Sequence, residues 1–173
     1  LIPIGELVLR TACQAAKACQ NAGYPPFTMA VNVSVEQIYN SDLPALVAEV
    51  LEETGLDARW LKLELTESMV MGDVDNANQV LGKLKDLGVE LAIDDFGTGY
   101  SSLAYLKKLQ VDELKIDRSF ISDVSHNSGD AVITEAIIGL GHSFGLKVLA
   151  EGVETHEQEN FLKMLGCDEA QGY

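Results

Sequence analysis

The stretch Val89-Glu-Leu-Ala-Ile-Asp-Asp-Phe-Gly-Thr-Gly-Tyr-Ser-Ser102 places two adjacent aspartates between an apolar run and a Gly-rich loop. Adjacent side chains of a regular strand point to opposite faces, so Asp94 and Asp95 can reach one site only where the pleat breaks. We expect Gly97 and Gly99 to supply that break. Paired carboxylates at the end of a buried strand pack poorly but bind cations well. The stretch therefore predicts a buried strand that ends at a cation-binding loop.

The composition is that of one folded domain with a strongly acidic surface. The chain has 173 residues, of which 47% are hydrophobic and 23% charged, enough for a sizeable core. Its formal net charge of −15, from 12 Lys+Arg against 27 Asp+Glu, argues against DNA or any nucleic acid held by a basic surface. An anionic ligand would therefore have to be bound through cations.

The expected cellular location follows from the lack of a membrane-spanning stretch or leader in this sequence and from the spacing of its cysteines. There is no uninterrupted apolar stretch of membrane-spanning length and no basic leader followed by an apolar run. Cys13, Cys19 and Cys167 are widely spaced, which suits a reducing compartment rather than a disulfide framework. We expect a cytoplasmic domain without membrane contact of its own, in a parent protein that can itself be membrane-anchored.

Helix-like segments that end at a glycine alternate with short apolar runs. Glycine stops a helix because it accepts the left-handed conformation cheaply, and the junction glycines are Gly55, Gly88, Gly145 and Gly166. Ser34-Val-Glu-Gln37 and Thr155-His-Glu-Gln158 match the capping box, and Asp42 with Pro44, and Asp73, are further helix starts. Short strands separated by helices predict parallel pairing through helical crossovers.

The predicted elements form a regular series. Helices are expected near Gly5 to Asn21, Leu43 to Glu53, Val74 to Leu87, Ser101 to Leu109, Asp130 to Phe144 and Glu157 to Leu165. Strands are expected near Met29 to Asn32, Leu61 to Leu65, Glu90 to Ile93, Glu113 to Ile116, Lys147 to Ala150 and Glu169 to Gln171.

Polar side chains recur at the predicted strand ends, in the order Asn32, Glu64, Asp94 with Asp95, Lys115, Glu151 and Gln171. In a (β/α)8 barrel the C-terminal strand ends converge on the face that holds the active site. An open doubly wound sheet would explain the same alternation, but its sites concentrate at one switch point. We therefore expect an α/β fold of the TIM-like (β/α)8 barrel type. Only about six of eight strands can be placed, so the barrel is expected to be incomplete in this chain.

The donor types at these strand ends suit a hard divalent cation. Five of the side chains are oxygen donors, which favour Mg²⁺ or Mn²⁺ over Zn²⁺ or copper: Asn32, Glu64, Asp94, Asp95 and Glu151. A single ion would leave repulsion among the carboxylates, so we expect two ions about 3.5 to 4 Å apart, bridged by an aspartate. Such a pair activates a water for attack on a phosphate ester, and Lys115, the sole cation at a strand end, is expected to orient that water.

Six segments can be compared with known families: Asn32-Val-Ser, Glu64-Leu-Thr-Glu67, Asp94-Asp-Phe-Gly-Thr-Gly-Tyr-Ser-Ser-Leu103, Leu114-Lys-Ile-Asp-Arg-Ser-Phe-Ile121, Ala150-Glu-Gly-Val-Glu-Thr155 and Gln171-Gly-Tyr173. In this order, and over essentially the whole chain, they resemble the EAL-domain phosphodiesterases of bacterial cyclic di-GMP signalling. The resemblance implies a modified TIM barrel with one antiparallel strand. It also implies hydrolysis of cyclic di-GMP to linear pGpG with two Mg²⁺ or Mn²⁺ ions.

The resemblance assigns a metal-binding role to residues on four strands. By motif, Asn32, Glu64, Asp94 and Glu151 would bind one metal. Asp94 would bridge to the second metal, which Asp95 would reach.

The resemblance also assigns roles outside the metal ligands. Lys115 would position the hydrolytic water, and Gln171 would lie near the water and the substrate. Glu67 would steady the loop from Phe96 to Ser102, whose conformation couples the metal site to dimerisation. Glu154 would support the site from behind the ligands.

The Glu-Ala-Leu motif that names the family, with its metal-binding Glu and substrate-binding Arg, is expected on a strand upstream of Leu1. The chain is interpreted as a single EAL domain over residues 1–173, truncated at the N-terminus and slightly at the C-terminus, so that little or no turnover is expected from it alone. Sensory or GGDEF domains are expected in the parent, and a homodimer.

Three functions remain open at this point. They are a phosphodiesterase in the intact parent, a catalytically silent cyclic di-GMP receptor, and a scaffold that dimerises through the helix near Ser101 to Leu109. Every site position present carries a residue competent for catalysis, which favours the enzyme.

Overall fold

The computed structural model describes residues 2–98, 106–124 and 128–173. These residues form two compact units, each with its own buried apolar side chains. The first unit covers residues 2–91 and 108–110, and the second covers the other described residues from 92 onward. The helix predicted near Ser101 to Leu109 lies largely outside the described residues, as does Gly99.

The first unit packs helices against a pair of parallel strands. Its elements are α1 (Ile2–Asn21), β1 (Met29–Asn32), α2 (Val35–Asn40), α3 (Leu43–Thr54), a 3₁₀ turn (Ala58–Trp60), β2 (Leu61–Thr66), α4 (Glu67–Gly72), α5 (Val74–Asp86) and the start of β3 (Glu90–Phe96). Met29 lies opposite Leu61, and Asn32 lies opposite Glu64, at the two ends of the β1–β2 pairing. Helix α1 packs on α3 and β1, and α3 packs on α5. Fully buried side chains of this core include Leu9, Val47, Leu61, Leu63, Leu81 and Leu84.

The second unit is built on four parallel strands that neighbour one another in chain order. It contains the rest of β3, then β4 (Glu113–Ile116), α6 (Arg118–Ile121), α7 (Ser128–Ser143), β5 (Lys147–Val153), α8 (His156–Met164) and β6 (Glu169–Gly172). Lys115 pairs with Leu149, and Glu151 pairs with Gln171. Its core includes Ile93, Leu114, Ile116, Ile121, Val148 and Ala150. Because parallel strands end at one edge, the polar residues at their C-terminal ends share that edge.

The helix boundaries follow the predicted signals. Gly55, Gly88, Gly145 and Gly166 have φ values of 66°, 89°, 74° and 76°, as left-handed helix stops require. Both predicted capping boxes are present, at Ser34 and at Thr155. The carboxylates of Asp42 and Asp73 each accept a backbone N–H three residues on. The local signals of the sequence are therefore confirmed.

The strands also agree with the prediction, with differences at their ends. Strands β1 and β4 have the predicted bounds, and the other four extend further toward their C-termini. The short helices α4 and α6 were not expected; α6 forms because the Asp117 carboxylate accepts the N–H of Ser119 at 3.0 Å and caps a single turn. Within the described part of the chain, no helix has both the length and the apolar character needed to cross a membrane.

The break in the pleat begins at Asp95, two residues before the glycine expected to start it. Asp95 has a φ of 55°, and the pairing of β3 with β4 shifts register between Ile93 and Phe96. Aspartate tolerates the left-handed region because its short side chain bonds locally. Here the neighbouring Asp94 Oδ1 accepts the Asp95 N–H at 3.0 Å. Gly97, with a φ of 99°, continues the turn. The expectation that the glycines supply the break is therefore wrong about where it starts, because it starts at Asp95.

Asp168 joins three elements of the second unit at the N-terminal ends of β5 and β6. Its Oδ2 accepts the backbone N–H of Val148 at 2.9 Å and lies 2.9 Å from Nε2 of His142, at the end of α7. Burial acts to raise the pKa of Asp168, but the hydrogen bonds from His142 and Val148 outweigh it, so the pKa lies below its usual value. The ionised carboxylate is therefore the form that stabilises the fold.

We expect Asp168→Asn to lower the melting temperature near pH 7 by about 2 to 4 °C, through loss of charge-assisted hydrogen bonds. A carboxyl whose folded pKa is depressed contributes stability above its unfolded pKa of about 3.9, and that contribution disappears as the pH falls through the folded pKa. The difference in melting temperature between wild type and variant should therefore shrink between pH 5 and pH 2. Melting curves across this range test it, with the exposed Asp123→Asn as control. A difference that stays constant down to pH 2 would contradict the assignment.

Candidate functional site

Lys115 lies between two carboxylates at the C-terminal edge of strands β3 to β5. Its Nζ is 3.2 Å from Oδ1 of Asp94 and 2.6 Å from Oε1 of Glu151. The lysine side chain is 4% exposed, whereas the two carboxylates are 15% and 23% exposed. A buried ammonium needs such partners, because desolvation without them is costly. Three neighbouring strands thus each contribute one charged side chain to a single cluster.

Asp95 lies beside this cluster, and the neighbouring carboxylates affect its pKa. Partial burial, together with the negative charges of Asp94, Asp117 and Glu151, raises the pKa of Asp95 above its usual value. Lys115 only partly offsets this effect. Because repulsion among carboxylates falls when a cation binds, the excess charge favours a cation at this edge.

The first unit brings Asn32 and Glu64 together. They are register partners on parallel strands, so their side chains share one face of the β1–β2 pair. The N–H of Val33 donates to the backbone oxygen of Glu64 at 2.9 Å, which extends the pairing beyond Asn32. Asn32 is exposed and Glu64 is buried. Glu67 is buried at the start of α4, a position that suits support rather than contact with a ligand.

In the second unit, Gln171 and Glu154 line the same cavity as Glu151. Gln171 is the register partner of Glu151 on β6. The cavity has a volume of about 370 Å³, and its wall also includes Arg118 and Gly152. The structure thus groups three predicted site residues with four that were not predicted, namely Arg118, Gly152, Gly172 and Tyr173.

Arg118 and Gly152 are two of the residues that sequence reasoning missed. Arg118 directly follows the strand-end residue Asp117, and this adjacency was the available signal. Gly152 has a φ of 71°, and a Cβ there would lie 2.6 Å from the Cβ of Arg118. A glycine at this position lets the end of β5 approach α6 closely.

The oxygen donors are of the type that a hard divalent cation prefers, although they are not arranged as a preformed metal site among the described residues. Among residues 2–98, 106–124 and 128–173, no three His, Cys, Asp or Glu side chains are grouped as a preformed metal site. Asp94, Asp95 and Glu151 supply carboxylate oxygens, and partial burial together with the neighbouring carboxylates raises the pKa of Asp95. Lys115 already engages two of these carboxylates, so a bound ion would share them with the lysine.

The chain belongs to the EAL domain family, whose model matches residues 1–173. One relative is the bifunctional diguanylate cyclase/cyclic di-GMP phosphodiesterase MucR of Pseudomonas aeruginosa, 45% identical over 173 residues, which are 100% of this chain and 25% of MucR. Another is the cyclic di-GMP phosphodiesterase NbdA of the same species, 44% identical over 170 residues, 98% of this chain and 22% of NbdA. The chain therefore spans about a quarter of the length of these relatives.

Solved structures of the family have the same fold. The MucR phosphodiesterase in complex with cyclic di-GMP matches 99% of this chain and 69% of its own, with a TM-score of 0.94 and 46% identity. Klebsiella pneumoniae BlrP1, in a complex with manganese and cyclic di-GMP, matches 98% of this chain and 43% of its own, with a TM-score of 0.83 and 29% identity. These matches confirm the predicted fold class, an EAL-type TIM-like barrel of which this chain holds a part.

Proposed function

We propose that this chain belongs to a cyclic di-GMP phosphodiesterase domain that hydrolyses its substrate to linear pGpG. The observation that carries the proposal is the cluster of Asp94, Lys115 and Glu151 on three neighbouring strand ends. Family membership and similarity to MucR and NbdA support the substrate. The excess of negative charge at Asp95 supports a cation through which an acidic protein can bind an anionic nucleotide.

Two Mg²⁺ or Mn²⁺ ions are part of the proposal. The manganese complex of the relative BlrP1 supports the metal, as does the oxygen donor set of this chain. Asn32, Glu64, Asp94 and Glu151 would hold one ion, and Asp95 would reach the other, with Asp94 between them. Bound there, the ions would supply a nucleophilic water at neutral pH and neutralise the phosphodiester.

The chain's own side chains then have distinct tasks. Lys115, held by Asp94 and Glu151, orients the attacking water through its ammonium and stabilises negative charge that develops on the phosphodiester. Gln171, exposed at the wall of the same cavity, offers an amide to the water or substrate. Glu154 lines the cavity near the end of β5, and Glu67 is buried at the start of α4 in the first unit.

A second candidate function is a cyclic di-GMP receptor without turnover. It is favoured by the cavity beside the cluster, whose wall includes the exposed cation Arg118. A receptor would bind the same nucleotide in the cavity lined by Arg118, Glu151 and Gln171, and would leave it intact. The two candidates differ in the product, not in the ligand.

The proposal includes assembly with other protein units. MucR, a bifunctional relative four times longer than the matched region, supports sensory or GGDEF domains in the parent protein. A homodimer, expected from the family resemblance, is also part of the proposal. We place the domain in the cytoplasm.

Product analysis separates the candidate functions. The protein, extended upstream through the Glu-Ala-Leu segment, is incubated with cyclic di-GMP and Mg²⁺, and nucleotides are separated by liquid chromatography. The enzyme converts cyclic di-GMP to pGpG, whereas a receptor retains the nucleotide unchanged.

A further inference from the structure

Gln158 is a buried amide whose hydrogen bonds join three segments of the second unit. Its side chain on α8 is only 4% exposed. Its Oε1 accepts the N–H groups of Glu154 and Thr155 at 2.7 and 3.0 Å. Its Nε2 donates to the backbone oxygens of Ile121 and Ser122, both at 3.1 Å. A helix cap needs only the acceptor half of this amide, so the donor half has another task.

The two segments that Gln158 joins both leave the site edge of the sheet. One follows Lys115 on β4 and forms α6, which begins at Arg118. The other follows Glu151 on β5 and leads through Gly152 to Glu154. They also come close at Gly152, where the lack of a side chain leaves room for the Cβ of Arg118. The position of α6 relative to the end of β5 is thus fixed at two points.

Gln158 also forms part of the wall of a cavity between these segments. This cavity, of about 260 Å³, is lined by Arg118, Ser122, Gly152, Glu154 and Gln158. It shares Arg118, Gly152 and Glu154 with the larger cavity that contains Glu151 and Gln171. The amide of Gln158 therefore lines a cavity that adjoins the one containing Glu151 and Gln171.

Arg118 presents a cation to both cavities. Its side chain is exposed, and its guanidinium interacts electrostatically with the neighbouring Asp117 while lining both cavities. A guanidinium binds paired acceptor atoms in a fork, whether on a phosphate or on the O6 and N7 edge of guanine. In a chain with a net charge of −15, such an exposed guanidinium offers a positive group to which an acidic or acceptor-rich nucleotide can bind.

We propose that Gln158 is a positioning residue for nucleotide binding, which holds α6 against the loop after β5 and so sets where Arg118 meets the paired acceptors of the nucleotide. This inference rests on the proposed function, because it concerns the same ligand. Gln158 does not touch the nucleotide; it acts through the backbone of Ile121 and Ser122.

Gln158→Glu separates this role from helix capping. A glutamate keeps the two acceptor contacts of the capping box but loses both donors and places negative charge near two backbone oxygens. In the full-length protein we expect a lowered melting temperature, because the buried carboxylate faces two carbonyl oxygens, together with a KM for cyclic di-GMP raised about 3- to 10-fold and an unchanged kcat. The ratio of variant to wild-type KM should fall from pH 8 to pH 5, because a protonated glutamate regains an O–H donor.

A matched control removes a helix cap elsewhere. Asp42→Ala deletes the N-cap of α3 in the first unit and should lower the melting temperature without changing KM. If Gln158→Glu fails to fold, Gly152→Ala tests the second contact between the segments. Its added Cβ should displace α6 and raise KM likewise.

A double mutant tests whether Gln158 acts through Arg118. Arg118→Ala should raise KM, and adding Gln158→Glu to it should raise KM little further. Comparison of cyclic di-GMP with cyclic di-AMP, which has the same phosphates, identifies the group bound. An equal loss of affinity for both assigns Arg118 to phosphate, and a loss confined to cyclic di-GMP assigns it to guanine.

The outcomes that overturn the inference are specific. A wild-type KM in folded Gln158→Glu, or KM effects that multiply in the double mutant, would show that Gln158 is only a helix cap. Absence of cyclic di-GMP binding and hydrolysis in the wild type would instead overturn the proposed function, and the inference with it.

Discussion

Replacement of Lys115 by alanine is expected to lower the rate of cyclic di-GMP hydrolysis by at least about 100-fold in the upstream-extended protein, while nucleotide binding persists. The ammonium contacts both Asp94 and Glu151, so its loss removes the group that orients the water and leaves two carboxylates facing each other. Because Lys115 is buried between two carboxylates, circular dichroism and a melting curve check that the variant is folded. Single-turnover rates and equilibrium binding measure the two effects separately.

The control for this variant is Lys147→Ala. Lys147 lies at the opposite end of β5, is largely exposed, and pairs with Glu169 at 3.7 Å. An exposed ion pair of this kind contributes little, so activity should stay within about twofold of wild type. Hydrolysis by Lys115→Ala at the wild-type rate would refute the role assigned to the lysine.

Removal of divalent cations is expected to bring hydrolysis to the background rate. The donors proposed for the ions are carboxylates and an amide, and without metal nothing in the cluster generates a nucleophilic water at neutral pH. After treatment with EDTA and dialysis, Mg²⁺ or Mn²⁺ should restore turnover, whereas the donor set gives no preference for Zn²⁺. Rates are measured as a function of added metal.

The control for metal removal is the integrity of the fold. The circular dichroism spectrum should be unchanged by EDTA, because the buried cores of both units are apolar. Full activity of protein shown by elemental analysis to be metal-free would contradict a two-metal mechanism.

The fold was predictable because its signals are local. Gly55 and Gly145 stop helices through their own backbone freedom, and the capping boxes at Ser34 and Thr155 need only four consecutive residues. Strand ends are less well marked. Strand β3 runs on to Phe96 past a break at Asp95, whose left-handed conformation its sequence neighbours do not demand.

The site was predictable in its residue types and only partly in its contacts. Asp94, Lys115 and Glu151 were expected to converge from the position of polar residues at successive strand ends, and the structure brings them within hydrogen-bond distance. Arg118 and Gly152 were missed because their relation depends on how closely two segments approach, which no local pattern encodes. The metal ligand set remains a prediction.

The most direct test of this account is the initial rate of pGpG formation from cyclic di-GMP in Mg²⁺, measured side by side for the upstream-extended protein and its Asp94→Asn variant. Asparagine keeps the size of the side chain but removes the charge that is proposed to bridge the two ions. The account predicts steady pGpG formation by the wild type and a rate at background for the variant, with both proteins folded. Turnover by Asp94→Asn at the wild-type rate would contradict it.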